Sequence, residues 1–151
     1  MNKSIIVALT LLAAPGAALA QSPAAKLTNR PAGVAAVEFL DLAFNQKKVD
    51  EAVSKYLAPP CTQHNPQVPD GVEGARAGLT GFLKQMPSLH YDFKRVIVEG
   101  DFVVVHSLLE GMGERGSAVV DIFRVRNGKL VEHWDVLQAV PEAAANKNTM
   151  F

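Results

Sequence analysis

Cysteine is nearly absent from this chain: its 151 residues hold a single one, Cys61. No intrachain disulfide can form, so packing alone must hold the fold. Cys61 has neither a CxxC partner nor a basic neighbour to activate it, and reads as a small buried residue. Charge of one sign is missing too, since Lys plus Arg and Asp plus Glu number 15 each. No net field draws nucleic acid or an acidic lipid surface, and no nucleic-acid partner is expected. HxH, HExxH and paired cysteines are also absent, so no metal ligand set is expected and no cofactor is called for. No serine occupies a G-x-S-x-G elbow, which argues against Ser-His-Asp hydrolysis. Internal repeats and low-complexity tracts are lacking as well.

Long apolar runs are confined to the start. Met1-Asn2-Lys3 is followed by an apolar stretch from Ile5 to Leu12 and by Ala18-Leu19-Ala20, a small-x-small site. This pattern predicts a cleavable signal peptide over 1–20, with cleavage after Ala20 and a periplasmic or secreted product. The run is too short, and too soon followed by Pro15-Gly16, to span a membrane. Cys61 lies well past the cleavage site, so no lipoprotein anchor is expected. About 130 residues remain, enough for one domain with a core.

Along the remaining chain, 21–30 is expected to be a polar leader, 31–140 the domain, and 141–151 a C-terminal tail. Pro31 suits a first helical turn. Val34, Val37, Leu40 and Phe44 recur at three- and four-residue spacing, which predicts a helix over 31–45. Val49, Val53, Tyr56 and Leu57 predict a second over 49–57, stopped by Pro59-Pro60. A short extended segment and a turn-rich loop follow over 61–71. Val72, Ala75, Leu79, Phe82 or Leu83, and Met86 give a third helix over 73–86. The period then changes to two: strands are predicted over 90–98 and 102–109, then a hairpin on either side of Asn127-Gly128. Helices followed by an antiparallel meander make an α+β fold with the helices on one face of the sheet.

The hairpin carries the chemistry. Asp121, His133 and Asp135 sit among strand formers, where carboxylates are costly to desolvate without partners. Two registers are open. A two-residue loop at Asn127-Gly128 pairs Arg126 with Lys129 and puts Asp121 opposite Trp134. A three-residue loop with Gly128 in a bulge puts Asp121 opposite His133. The second is favoured. It collects Val119, Asp121, Phe123, Val131, His133, Asp135 and Leu137 on one face and leaves Arg124, Glu132, Trp134 and Gln138 on the other, as a ligand pocket with a few convergent polar groups requires.

The strings Gln63-His-Asn-Pro66, Asp70-Gly71, Glu99-Gly-Asp101, Asp121-Ile-Phe-Arg124 and Gly128-Lys-Leu-Val-Glu-His-Trp-Asp-Val-Leu-Gln138 occur in an order and spacing that resembles the SnoaL-like polyketide cyclase branch of the NTF2-like superfamily. That resemblance implies a cone: a curved antiparallel sheet wrapped by three N-terminal helices around a deep apolar pocket, and a homodimer. It also implies a cofactor-independent lyase or isomerase, such as an aldol cyclase, acting on a small hydrophobic carbonyl compound. Other members only bind a ligand, so a non-catalytic periplasmic binding protein is the alternative, and a dimeric module with a filled pocket is a third.

On this footing Asp135 is the first candidate for general acid or base, with Asp121 second and His133 as relay. His64, in the Gln-His-Asn-Pro segment, and His106, on the alternating run Phe102, Val104, His106 and Leu108, complete the candidate site. Relatives that hydrolyse epoxides carry water-orienting polar residues near His64, and this chain departs from them with Thr62 and His64. Trp134 is expected on the outer face, Asn65 as a loop cap, and His90 at the surface.

Overall fold

The structure is a computed structural model that describes residues 22–151; the expected signal peptide lies outside the described residues. Helix α1 (Pro23–Leu27) is followed by α2 (Pro31–Leu40), which widens into a π-helical turn over Asp41–Asn45. Then come α3 (Val49–Tyr56), β1 (Leu57–Gln63), α4 (Val72–Gln85), β2 (His90–Glu99), β3 (Phe102–Glu110), β4 (Ser117–Arg126) and β5 (Lys129–Ala139). The segment expected to be a polar leader therefore holds a short helix, and its Ala24 is completely buried in the core.

Five strands form one curved, open sheet in the order β1-β5-β4-β3-β2. The meander β2 to β5 is antiparallel, and β1 runs parallel to β5 at the edge. Pro59 and Pro60 fall inside β1 instead of merely ending α3. An edge strand tolerates prolines because one side of its backbone needs no ladder partner. The helices pack on one face of the sheet, α2 against β2, β3 and β5, and α4 against β1. Val37, Leu40 and Ala43 from the helices meet Val103, Val105, Leu109, Val119 and Phe123 from the sheet, all buried.

Two local devices position the site. The π turn brings Asn45 to β2, where its amide donates to the Tyr91 carbonyl at 3.1 Å and accepts from the Tyr91 N–H at 2.7 Å. In the β4–β5 hairpin, Asn127 and Gly128 both take positive φ, 51° and 73°, as a primed two-residue turn demands. Arg126 thus pairs with Lys129, contrary to the favoured three-residue loop. The register then slips: Val125 pairs with Leu130 but Arg124 with Glu132, leaving Val131 as a one-residue bulge. Beyond it Phe123 faces His133 and Asp121 faces Asp135. Compared with the expected pairing, the register differs by two, which preserves the faces. Leu130 rather than Val131 joins the inner face.

Candidate functional site

Between the helices and the inner face of the sheet lies a cavity of about 540 Å³. Phe39, Phe44, Leu79, Phe82, Leu109 and Phe123 give it apolar walls; its polar side is built by Gln63, Asn65, Tyr91, Asp121, His133 and Asp135. No lysine or arginine among the described residues lines it. Small residues of α4, among them Gly78 and Gly81, leave it room: a Cβ at Gly81 would meet nothing within 4 Å.

Three of the five residues expected at the site converge. Ligand-type atoms of Asp121, His133 and Asp135 all lie within 4.8 Å of one another. His133 Nε2 is 3.2 Å from Asp121 Oδ1, and its Nδ1 is 3.0 Å from Gln63 Oε1. The Asn65 amide donates to Asp135 Oδ2 at 2.7 Å. Phe123 stacks on the His133 ring at 4.8 Å. The Asp121 side chain is only 3 % exposed against 18 % for His133, and its Oδ2 has no hydrogen-bond partner. Burial raises the Asp121 carboxyl above its ordinary value; the His133 hydrogen bond opposes this and the Asp135 charge adds to it. The buried Tyr91 phenol faces the same carboxylates. Burial first, and then the charges of Asp121 and Asp135, keep it protonated well above its usual range. Burial likewise pushes the Cys61 thiol up. One histidine nitrogen and two carboxylates at this spacing are also a set of donors a divalent ion could accept.

The other two candidates do not join the cluster. His64 stacks on Trp134 at 4.5 Å with the rings 5° from parallel, and its Nε2 meets Glu132 at 3.0 Å. Glu132 also accepts from Arg124 at 2.7 Å, and this bond, followed by the one to His64, draws its carboxyl below the usual value. His106 lies on the outer face of the sheet, its Nδ1 3.0 Å from Arg95 and its ring against Phe151. Burial, reinforced by the Arg95 charge, lowers its pKa. Neither lines the cavity. In β3 the residues buried toward the helices are Val103, Val105, Ser107 and Leu109, the opposite set from the one containing His106.

Gln63, Asn65 and Tyr91 are the site residues that sequence reasoning passed over. Period-two alternation held the signal for the first two: Gln63 and Asn65 must face one way if His64 faces the other. Asn65 is also a loop cap as expected, its Oδ1 accepting from the Gln67 N–H at 2.8 Å.

A sequence model of the family described as SnoaL-like domain matches residues 36–133. Among solved structures, TsrD from Streptomyces laurentii is 24 % identical with a TM-score of 0.60, over 73 % of this chain and 90 % of that one. A SnoaL-like protein from Burkholderia thailandensis is 19 % identical with a TM-score of 0.63, over 75 % and 99 %. A SnoaL-like polyketide cyclase from Agrobacterium tumefaciens is 14 % identical with a TM-score of 0.58, over 72 % and 92 %. At these identities the likeness shows the fold. No curated protein matches the chain.

Proposed function

This chain belongs to the SnoaL-like domain family, and from that premise we propose that it is a cofactor-independent acid/base enzyme acting on a small hydrophobic carbonyl compound. The observation that carries this reading is the meeting of Asp121, His133 and Asp135 at the polar side of an otherwise apolar cavity. Apolar walls select the substrate body, while convergent polar groups orient its carbonyl.

Asp135, held in place by Asn65 and open to the cavity, is the base that takes a proton from the carbon beside the carbonyl. The enolate oxygen that forms accepts a hydrogen bond from the protonated Asp121–His133 pair, with the Tyr91 hydroxyl as a further donor. Attack of the enolate carbon on a second carbonyl of the same molecule gives an aldol ring closure; return of the proton to a different carbon gives an isomerisation. Burial raises the proton affinity of Asp121, as its role as the acid of the site requires. The name of the Agrobacterium tumefaciens relative, a polyketide cyclase, fits this reaction class.

The test is turnover of a panel of β-keto and enone compounds by the wild type and by Asp135→Asn. Loss of turnover in the variant supports the assignment, and equal turnover removes Asp135 from the mechanism. A second reading, a binding protein that holds a hydrophobic ligand unchanged, is favoured by the predominance of apolar walls; it predicts tight binding in both proteins and turnover in neither.

Three expectations complete the proposal. Export rests on the Met1–Ala20 pattern and predicts a mature N-terminus at Gln21, readable by mass spectrometry. No helix among the described residues is long and apolar enough to cross a membrane. A homodimer is supported by exposed apolar residues on the outer sheet face, Ile97 and Val136 among them, and sedimentation tests it.

A further inference from the structure

The Gln63 amide oxygen lies 3.0 Å from His133 Nδ1, while its amide nitrogen is turned toward Cys61 Sγ at 3.8 Å. An amide oxygen only accepts, so Nδ1 carries a hydrogen. On the other side of the ring, Nε2 stands 3.2 Å from Asp121 Oδ1. With Nδ1 already protonated, a neutral imidazole offers a lone pair at Nε2 and a carboxylate offers lone pairs at Oδ1. Two acceptors cannot bond, so one more proton belongs between them. It sits either on Nε2, as imidazolium against carboxylate, or on Oδ1, as carboxylic acid against neutral imidazole. Both arrangements have the same composition: one transferable proton and no net charge. The opposite tautomer, with hydrogen on Nε2 and none on Nδ1, would satisfy the carboxylate with no extra proton and leave the pair a base carrying one negative charge.

We propose that Gln63 is a positioning residue that holds His133 in its Nδ1–H form, so that the Asp121–His133 pair rests as a loaded acid and Asp135 is left as the base of the site. The kinetic consequence rests on the acid/base reading given above; the position of the proton does not. The surroundings of the ring agree. Titratable groups that line the cavity with it are Asp121 from β4, Glu132 and Asp135 from β5, Tyr91 from β2 and Cys61 from β1. Helix α2, the π turn and α4 contribute no charged side chain to the cavity. The Asp135 charge and the burial of Asp121 both favour keeping the shared proton. Phe123 stacks on the imidazole and limits its rotation.

The experiment is nitrogen NMR of the histidine rings in the folded protein at neutral pH, with His133 assigned by the loss of its signals in His133→Gln. In the wild type, Nδ1 of His133 is expected to be protonated. In Gln63→Leu, which removes the acceptor, the ring is expected to become neutral with its hydrogen on Nε2. In Gln63→Glu, which retains an acceptor at the same place, Nδ1 is expected to stay protonated. With a turned-over carbonyl substrate, Gln63→Leu is expected to lower kcat roughly 100-fold with KM within about twofold, and to move the alkaline limb of the pH profile to lower pH. Gln63→Glu is expected to restore most of the loss.

A bare Nδ1 in the wild type overturns the proposal, and so does a Gln63→Leu ring that keeps its hydrogen on Nδ1. If Gln63→Leu does not fold, the wild-type and Gln63→Glu spectra still decide. Absence of turnover by the wild type would overturn the acid/base function and leave the tautomer result standing.

Discussion

Asp121 and Asp135 stand directly opposite each other across the β4–β5 ladder, yet only one of them is sealed from solvent. Asp121 is buried with one oxygen lacking any partner; Asp135 is half-buried and held by the Asn65 amide. Their different surroundings divide the labour proposed for the site.

Asp121→Asn should gain stability as it loses function. The folded-state pKa of Asp121 is raised above its ordinary value of 3.8. The folded protein therefore binds this proton more tightly, so the favourable contribution is present at low pH and is lost as pH rises through the folded value. Denaturant unfolding from about pH 4 to neutrality should show wild-type stability declining relative to Asp121→Asn, while turnover by the variant drops. Parallel stability curves would contradict the raised affinity.

Asn65 has two separable jobs, because its amide nitrogen holds Asp135 and its oxygen caps the loop at Gln67. Asn65→Asp keeps the cap and places like charge beside Asp135. It is expected to unfold within about 1 kcal/mol of wild type while losing turnover at least about tenfold. Asn65→Ala should lose both.

His64 and His106 supply the control. Both rings lie outside the cavity, so His64→Ala and His106→Ala should each retain turnover within about threefold of wild type. A large loss in kcat for either would return it to the mechanism.

Gly81 tests the cavity as a volume. A Cβ there meets open space, so Gly81→Ala is expected to stabilise α4 by about 0.5–1 kcal/mol. Gly81→Phe should fill part of the cavity and weaken binding of a bulky apolar fluorophore while leaving the fold intact. Unchanged fluorophore affinity would place its binding elsewhere.

Ser107 is completely buried on β3 with an unpaired hydroxyl. Ser107→Ala should raise stability by about 1 kcal/mol, since it removes an unsatisfied polar group at little change in volume. Thermal unfolding measures this directly.

The helical stripes at Val34, Val37, Leu40 and Phe44 and the period-two runs after Leu89 were legible because burial repeats with the geometry of each element. The parallel edge strand was less so. Its identity depends on pairing with β5, far away in sequence, and its two prolines read locally as a stop. His106 was placed on the wrong face because β3 is apolar on both sides, so alternation there does not say which side meets the helices. Asp121, His133 and Asp135 were legible as a group because parity alone decides which face they share, and parity survived an error of two in the register. Gln63 and Asn65 were harder to see, since a neutral amide costs little to place in a loop and draws notice only once its partners are known.

Val131 never touches the cavity, yet the chemistry hangs on it as a phase correction hangs on an inserted delay. The tight turn at Asn127-Gly128, continued without interruption, would set Asp121 opposite Trp134. The single unpaired residue restores the phase. Pairing Val131 into the ladder instead of bulging it out would invert the strand, swinging His133 and Asp135 to the outer surface and an indole into the chamber, whereas deleting it would close the bulge and leave Asp135 opposite Asp121. In this hairpin, the way the chain between turn and site is paired is as decisive as the identity of the residues that line it.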